Sequence, residues 1–442
     1  MMKVILSGLA LFMLTSVTGV KAQDTRVAGS FGSVSAVKNG EVNIPVVISG
    51  VNPADIHSLK LTVNVAGTEQ QMEVTPRFVN VGGDRAVFYV KADAPSSTGL
   101  SDVTVTVDAV NGVEAETVET SRGSLMTVSR KVPHRVVIEK YTGMWCPVCP
   151  TGIVGIERTK INYGDKVLVL EAHYNDPLFA NDYNKVIMQH LTFPRATVDR
   201  DPNIGEVNPY LGTERGDNGA KYGLGYDIEE QMAIDPVVDI KVGGGIDGKK
   251  ITVKSDITSL YTGDANLGVT YVLTQDSLSS PNWKQQNSLP LYYRDNPIIE
   301  KEPLFEKWLN GDLEVTDVVF DDVIRAATSP DEGLKDIIPA QVNEEETYTH
   351  EYVFDLNKYK KIKSTDYMNL CVFVIDNNTG KIVNSASVRL SDCNAIEGVE
   401  AEGENAVEVA RYTVDGTRIA VPQKGINIVK YSDGTARKVV VK

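Results

Sequence analysis

Two cysteines separated by two residues, in Trp145-Cys146-Pro147-Val148-Cys149-Pro150, constrain this chain more than any other feature. Such a pair closes a disulfide, holds a metal or shuttles electrons, and its surroundings choose among these. Upstream lies a β-type run, Arg135-Val136-Val137-Ile138, followed by Glu139-Lys140-Tyr141-Thr142-Gly143-Met144. Downstream comes a helix-like run from Thr151 to Asn162, with apolar Ile153, Val154, Ile156 and Ile161, and then a second β-type run, Lys166-Val167-Leu168-Val169-Leu170. The pair therefore sits where a strand ends and a helix begins. Thiol chemistry needs that place, because free backbone N–H groups at a helix N-terminus stabilise the thiolate and lower the thiol pKa. Cys146, expected as the more exposed thiol, is read as the attacking nucleophile, and Cys149, one turn into the helix, as the resolving thiol. Pro147 suits a first helical turn, and Trp145 is expected to pack beside the pair and limit solvent access.

Strand, cysteine pair at a helix start, helix, strand is how a thioredoxin fold opens. Folds of that kind place a cis-proline opposite the pair. Thr192-Phe193-Pro194 stands in that place, ahead of Arg195-Ala196-Thr197-Val198-Asp199. Pro194 is therefore expected to be cis and to expose the preceding backbone to an extended peptide. Glu139 is a candidate buried carboxylate beneath the pair, relaying a proton to or from Cys149; the alternative is a solvated glutamate at a strand edge. His173 and His190 are read as surface or satisfied histidines without metal-pair spacing. The other cysteines, Cys371 and Cys393, are distant singles, so neither a metal nor a cofactor is expected. Cys371 is read as a partner for Cys393 in a second disulfide, with a buried lone thiol as the alternative.

The chain opens Met1-Met2-Lys3, then runs apolar from Val4 to about Val20, then Lys21-Ala22-Gln23. A basic start, a short apolar core and small residues before the cut predict a signal peptide, 1–22, cleaved after Ala22. The mature protein is then exported, to the outer membrane, the cell surface or the medium, where disulfides persist. No later stretch is apolar for long enough to form a membrane-spanning helix. Residues 23–132 alternate apolar and polar positions in short runs such as Leu59-Lys60-Leu61-Thr62-Val63-Asn64-Val65, which predicts an immunoglobulin-like β-sandwich. The thioredoxin-like α/β domain is placed at 133–235 and a second β-sandwich at 236–395. That sandwich is interrupted by a long excursion, Pro281 to Thr347, expected to hold short local structure or a binding lid. An acidic linker, 396–408, precedes a small β-hairpin module at 409–442, whose Asp415-Gly416 and Asp433-Gly434 are tight-turn signals. The formal net charge of −15 argues against nucleic acid or an anionic membrane surface as partner.

The C-terminal module resembles the sorting domain of type IX secretion substrates of the Bacteroidota, through Tyr412, Asp415-Gly416, Pro422, Gly425 and Lys438 to Lys442. The run Glu139 to Pro150 is similar to the thioredoxin-like outer-membrane proteins of the same phylum, the family named for a 28-kilodalton outer-membrane protein. Phe320-Asp321-Asp322-Val323-Ile324-Arg325 resembles part of that family's C-terminal half. The resemblance spans about Val132 to Ala395 and implies an exported, surface-associated protein engaged by the type IX machinery. It leaves two functions open. One is a thiol–disulfide oxidoreductase acting on cysteine-bearing exported proteins through Cys146, Cys149, Pro194 and Glu139. The other is a non-catalytic surface binding or adhesion protein, recognising a protein or glycan, in which Cys146–Cys149 is a structural disulfide.

Overall fold

The computed structural model describes residues 26–27, 29–49, 52–82, 85–114, 120–209, 224–296, 302–393, 408–413, 418–419, 421–431 and 436–441. The expected signal peptide and almost all of the acidic linker lie outside the described residues. What is described is a β-rich chain built around several separate cores.

Two sheets enclose the N-terminal core. One orders Arg26–Val27, Glu41–Ser49, Arg85–Asp93 and Val79–Gly82; the other orders Ser30–Val37, Thr120–Val128, Gly99–Val110, Leu59–Val65 and Thr68–Val74. The period-two pattern explains the pairing of faces. Leu59, Leu61, Val63 and Val65 turn inward while Lys60 turns to solvent, and they meet Ile44, Phe88 and Val103 in a single cluster. Burying each such leucine or valine stabilises the fold by about 1.5–3 kcal/mol.

An eight-stranded sheet forms the centre. Its order is Glu206–Val207, Arg195–Val198, Val136–Thr142, Val167–His173, Val323–Ala327, Leu267–Gln275, Met368–Asp376 and Lys381–Arg389. Val136–Thr142 and Val167–His173 run parallel, joined by the helix Pro150–Tyr163, and Arg195–Val198 is antiparallel to the first of them. All seven residues of Val167–His173 are buried, so this strand cannot form a sheet edge. Its free side is covered by Val323–Ala327, through Glu171 opposite Val323. One sheet thus runs across the boundary drawn from sequence at 235/236. Val238–Asp247, Lys250–Ser259 and Thr347–Asp355 form a three-stranded sheet stacked on the far half, where Ile251, Val253 and Ile257 meet Val269, Tyr271, Leu370 and Val372.

The excursion after Pro281, described at 281–296 and 302–322, shares a core with the cysteine segment. Gln285–Gln286 pairs with Glu314–Val315, the short helices Leu289–Tyr292 and Glu306–Leu309 flank this pair, and Leu289, Phe305, Trp308, Val315 and Phe320 pack together with Met144 and Val154 of the cysteine segment.

The second disulfide is not formed: Cys371 and Cys393 are both free thiols. Alternation along Met368–Asp376 explains this. Leu370 and Val372 face the core that Cys393 packs against, whereas Cys371 points to the other face, among Leu168, Leu170 and Phe373. Burial pushes the Cys371 thiol up to about 12.

At the C-terminus, Glu408–Thr413, Arg418–Ile419, Gly425–Tyr431 and Ala436–Val441 form a four-stranded sheet in which the first strand pairs with both the second and the third. The Asp-Gly turns at 415–416 and 433–434 lie outside the described residues. Among the described residues no helix is long and apolar enough to cross a membrane.

Candidate functional site

The strand Val136–Thr142 delivers the chain to Gly143, and a tight turn follows. Cys146 N–H donates to Gly143 O (3.0 Å) and Cys149 N–H to Cys146 O (3.3 Å). Cys146 and Cys149 form a disulfide, with their Cα atoms 5.4 Å apart. The helix begins at Pro150, one residue before the run read from sequence, with Cys149 as its N-cap, so Cys149 is not one turn into it and Pro147 lies ahead of its first turn. Pro150 takes the first helical position because its missing N–H would find no intrahelical acceptor there. Cys146 is not the exposed thiol expected: it is 2% exposed and Cys149 0%. Trp145 is 44% exposed. Its indole donates to Tyr174 O (2.7 Å) and meets Phe193 edge-on, so it leans toward the proline loop instead of closing over the sulfurs.

The Phe193–Pro194 peptide bond is cis. Pro194 lies against the first turn of the cysteine helix, its Cβ 3.0 Å from the point a Cβ on Gly152 would occupy. A side chain at 152 would separate the two.

Glu139 is buried, but on the other face of the sheet. Val137 and Tyr141 share its face, away from the cysteine helix, while Val136 and Ile138 pack with Ile156 of that helix. Its carboxylate is held by the Arg200 guanidinium (2.7 and 2.6 Å), by Thr197 Oγ1 (3.0 Å) and by the Tyr183 hydroxyl. Burial pushes this carboxyl up, but the Arg200 charge and these hydrogen bonds outweigh it and leave it below the usual carboxylate range. An anion so fully engaged is no proton relay for Cys149.

The residue beneath the helix is its neighbour, Lys140. Its Cε is 3.3 Å from the Gly152 Cβ point, and Gly152 N–H donates to Cys149 O (2.9 Å). Lys140 Nζ pairs with Glu171 Oε1 at 2.7 Å, directly across the parallel ladder. A second pair joins it: His173 Nδ1 is 2.6 Å from Asp176 Oδ2, and its Nε2 is 3.8 Å from Glu171 Oε2. Met144 N–H donates to the same Asp176 oxygen (3.0 Å), so the cluster ends on the backbone two residues before Cys146. Burial pushes Glu171 up, but Lys140 and then His173 outweigh it and bring it down to about 2. Burial pushes His173 down, and Asp176 and Glu171 more than reverse that, raising it above its ordinary value. The four form a buried, charge-balanced group.

His173 is thus part of this cluster and not a surface residue. His190 contacts Glu206 (2.7 Å) and stacks on Tyr141. Among the described residues no three His, Cys, Asp or Glu side chains converge as a metal site. Sequence reasoning missed Lys140, Glu171 and Asp176. The signal that could have found the first was parity: Ile138 and Lys140 share a face, and Glu139 does not.

The excursion covers the cysteine turn. Gln286 N–H donates to Met144 O (2.8 Å), Ser288 N–H to Pro147 O (2.7 Å), and Gln285 Nε2 to Cys146 O (2.9 Å). Arg158 on the cysteine helix holds Glu302 with two hydrogen bonds (2.8 and 2.7 Å), and Lys160 holds Asp322 (2.6 Å).

No family model matches the sequence, and no curated protein matches it. Among solved structures the chain is similar to HBP35 of Porphyromonas gingivalis, a member of the Bacteroidota, at 16% identity and a TM-score of 0.41, over 72% of this chain and 100% of that one. A protein from Agrobacterium tumefaciens matches at 13% identity and a TM-score of 0.30, over 62% of this chain and 100% of that one. A DUF4785 family protein from Legionella pneumophila matches at 10% identity and a TM-score of 0.24, over 83% of this chain and 56% of that one. These are distant likenesses, and neither fold nor activity is drawn from them.

Proposed function

We propose that this chain is an exported, surface-associated thioredoxin-like protein whose Cys146–Cys149 pair exchanges disulfides with cysteine-bearing exported polypeptides. The observation that carries this is a disulfide at the N-terminus of a 14-residue helix whose first turn rests against cis-Pro194, with a buried lysine under the same turn.

As an oxidant the pair would work in two steps. A client thiolate attacks Cys146 Sγ, the Cys146–Cys149 bond breaks, and Cys149 leaves as a thiolate. A second client thiolate attacks the client sulfur of the mixed disulfide and expels the Cys146 thiolate. The client loses two electrons to the pair; the reverse sequence reduces it. The helix N-terminus stabilises either thiolate. Residues 23–132 would serve as a recognition module. Export through 1–22 and surface sorting through 409–442 belong to the same reading.

One observation favours a second reading, a binding protein with a structural disulfide: both cysteines are almost fully buried. Two measurements separate them. A reduction potential of roughly −120 to −270 mV marks an exchanging pair, whereas one below about −300 mV marks a staple. In cells, Cys149→Ser should accumulate mixed disulfides at Cys146 that vanish in the double variant; their absence would refute exchange with clients.

A further inference from the structure

The cysteine turn lies at the surface, yet its sulfurs do not. Trp145 and Pro147 are exposed on either side of a cysteine that is 2% exposed. The strap Gln285–Ser288 is what lies across it, through three hydrogen bonds to the carbonyls of Met144, Cys146 and Pro147 and a fourth from Ser288 Oγ to Pro147 O (3.1 Å). We propose that residues 281–296 and 302–322 form an autoinhibitory cap, a hinged lid that must lift from Cys146 before a client thiol can reach it. The proposal rests on the exchange reading above and adds its regulation.

The build of the segment suits a lid. Leu289, Phe305, Trp308 and Val315 cluster with one another and also against Met144 and Val154 of the cysteine segment, so lifting the cap parts an apolar contact as well as the strap. The segment leaves and rejoins the central sheet at the ends of two neighbouring strands, Leu267–Gln275 and Val323–Ala327, which places both hinges together. Its strap is uncharged: Gln285, Gln286, Asn287 and Ser288. Water can take over such hydrogen bonds when the strap lifts, so the strap itself adds little to holding the cap closed. One buried atom already works against closure, for Gln285 Oε1 has no hydrogen-bond partner. The latches are separate from the strap. Arg158 grips Glu302 at one end of the helix contact, and Lys160 grips Asp322 beside the returning strand.

A lid of this kind gates rate. If it closes on the oxidised and reduced pair alike, loosening it speeds reduction and reoxidation together and leaves the potential in place. The test uses the full-length mature protein, oxidised, with dithiothreitol as the probe. The dithiol gives two electrons and two protons to the pair and becomes its own cyclic disulfide. Thiol alkylation and intact mass follow the conversion. Gln285→Ala removes the bond to Cys146 O and should raise the reduction rate constant about fivefold, the change that one buried neutral hydrogen bond corresponds to. Glu302→Gln weakens the distant latch without touching the cysteine turn and should also raise it. Both variants should keep the wild-type potential. Rates equal to wild type in both variants would overturn the cap, and so would acceleration accompanied by a shifted potential. The two proposals fail separately. If the variants react faster but Cys149→Ser traps no client, the cap stands and client exchange falls; if trapping succeeds and the rates do not change, the reverse holds.

Discussion

Replacing Lys140 with methionine removes the cation from a pair that water does not reach. The lysine side chain is 0% exposed and that of Glu171 7%. Glu171 would then face only His173, 3.8 Å away and beyond hydrogen-bond reach. Breaking a buried pair from one side costs about 3–5 kcal/mol, because the remaining charge stays desolvated. Lys140→Met combined with Glu171→Gln removes both charges and leaves His173 paired with Asp176, so the double variant should regain at least about 2 kcal/mol of that loss. The assay is convenient, because all three tryptophans, Trp145, Trp283 and Trp308, lie in the cysteine segment and its cap. Urea unfolding followed by tryptophan fluorescence therefore reports this unit and not the outlying sandwich. A Lys140→Met cost below about 1 kcal/mol, or a double variant that loses the sum of the two singles, would refute the reading of this cluster as a coupled ionic unit.

The same assay across pH tests Glu171. Its carboxyl sits at about 2 in the folded chain and near 4.5 when unpaired. Its contribution is therefore complete above pH 4.5 and lost as pH falls toward 2, with up to about 3 kcal/mol at stake; acid unfolding of Glu171→Gln should lack this component. Iodoacetamide applied to the native protein should label Cys393 and spare Cys371, which is 0% exposed with its thiol pushed up to about 12; equal labelling would contradict their placement on opposite faces of the sheet. Gly152→Val drives a side chain between Pro194 and Lys140 and should cost about 1–3 kcal/mol by overpacking; an unchanged urea midpoint would show that the proline loop does not rest on the helix. Deleting 412–442 should hold the protein in the periplasm, and unchanged surface display would remove the sorting role.

What the sequence revealed follows from the range of the interactions involved. The two strands and the helix around Cys146 are local, each specified by its own pattern, and so they were legible. The N-terminal sandwich was legible for the same reason, since Leu59 to Val65 alternate without interruption. The continuity of the central sheet was not. It depends on Glu171 meeting Val323, far along the chain, and the hint was only that Val167–His173 is too apolar for an edge. The excursion was legible as local structure or a binding lid from its length alone, but what it covers was not, because its strap is polar and uncharged, a composition shared with ordinary loops. The second disulfide failed for a reason of parity, since reach along the chain says nothing about which face a strand residue takes.

Parity also explains how two consecutive charged residues of unlike sign can both be buried in one strand. Glu139 and Lys140 project to opposite faces, and each meets its counter-ion on a different element. Glu139 fixes Arg200 and Thr197, at and just beyond the strand that Pro194 introduces. Lys140 fixes Glu171, from which His173 and Asp176 lead to the backbone of Met144 and so to the cysteine turn. The strand between them thus locks the two halves of the site, the proline side from one face and the cysteine side from the other. Exchanging the two residues, Glu139→Lys with Lys140→Glu, would keep composition and net charge, yet set lysine against Arg200 and glutamate against Glu171. Like charges would then meet in both buried clusters. A composition-preserving swap should therefore be more damaging than either neutralisation, Glu139→Gln or Lys140→Met, because each of those leaves one cluster intact. Soluble, oxidised and folded protein from the swapped variant would show that the register of this strand is not what holds the site together.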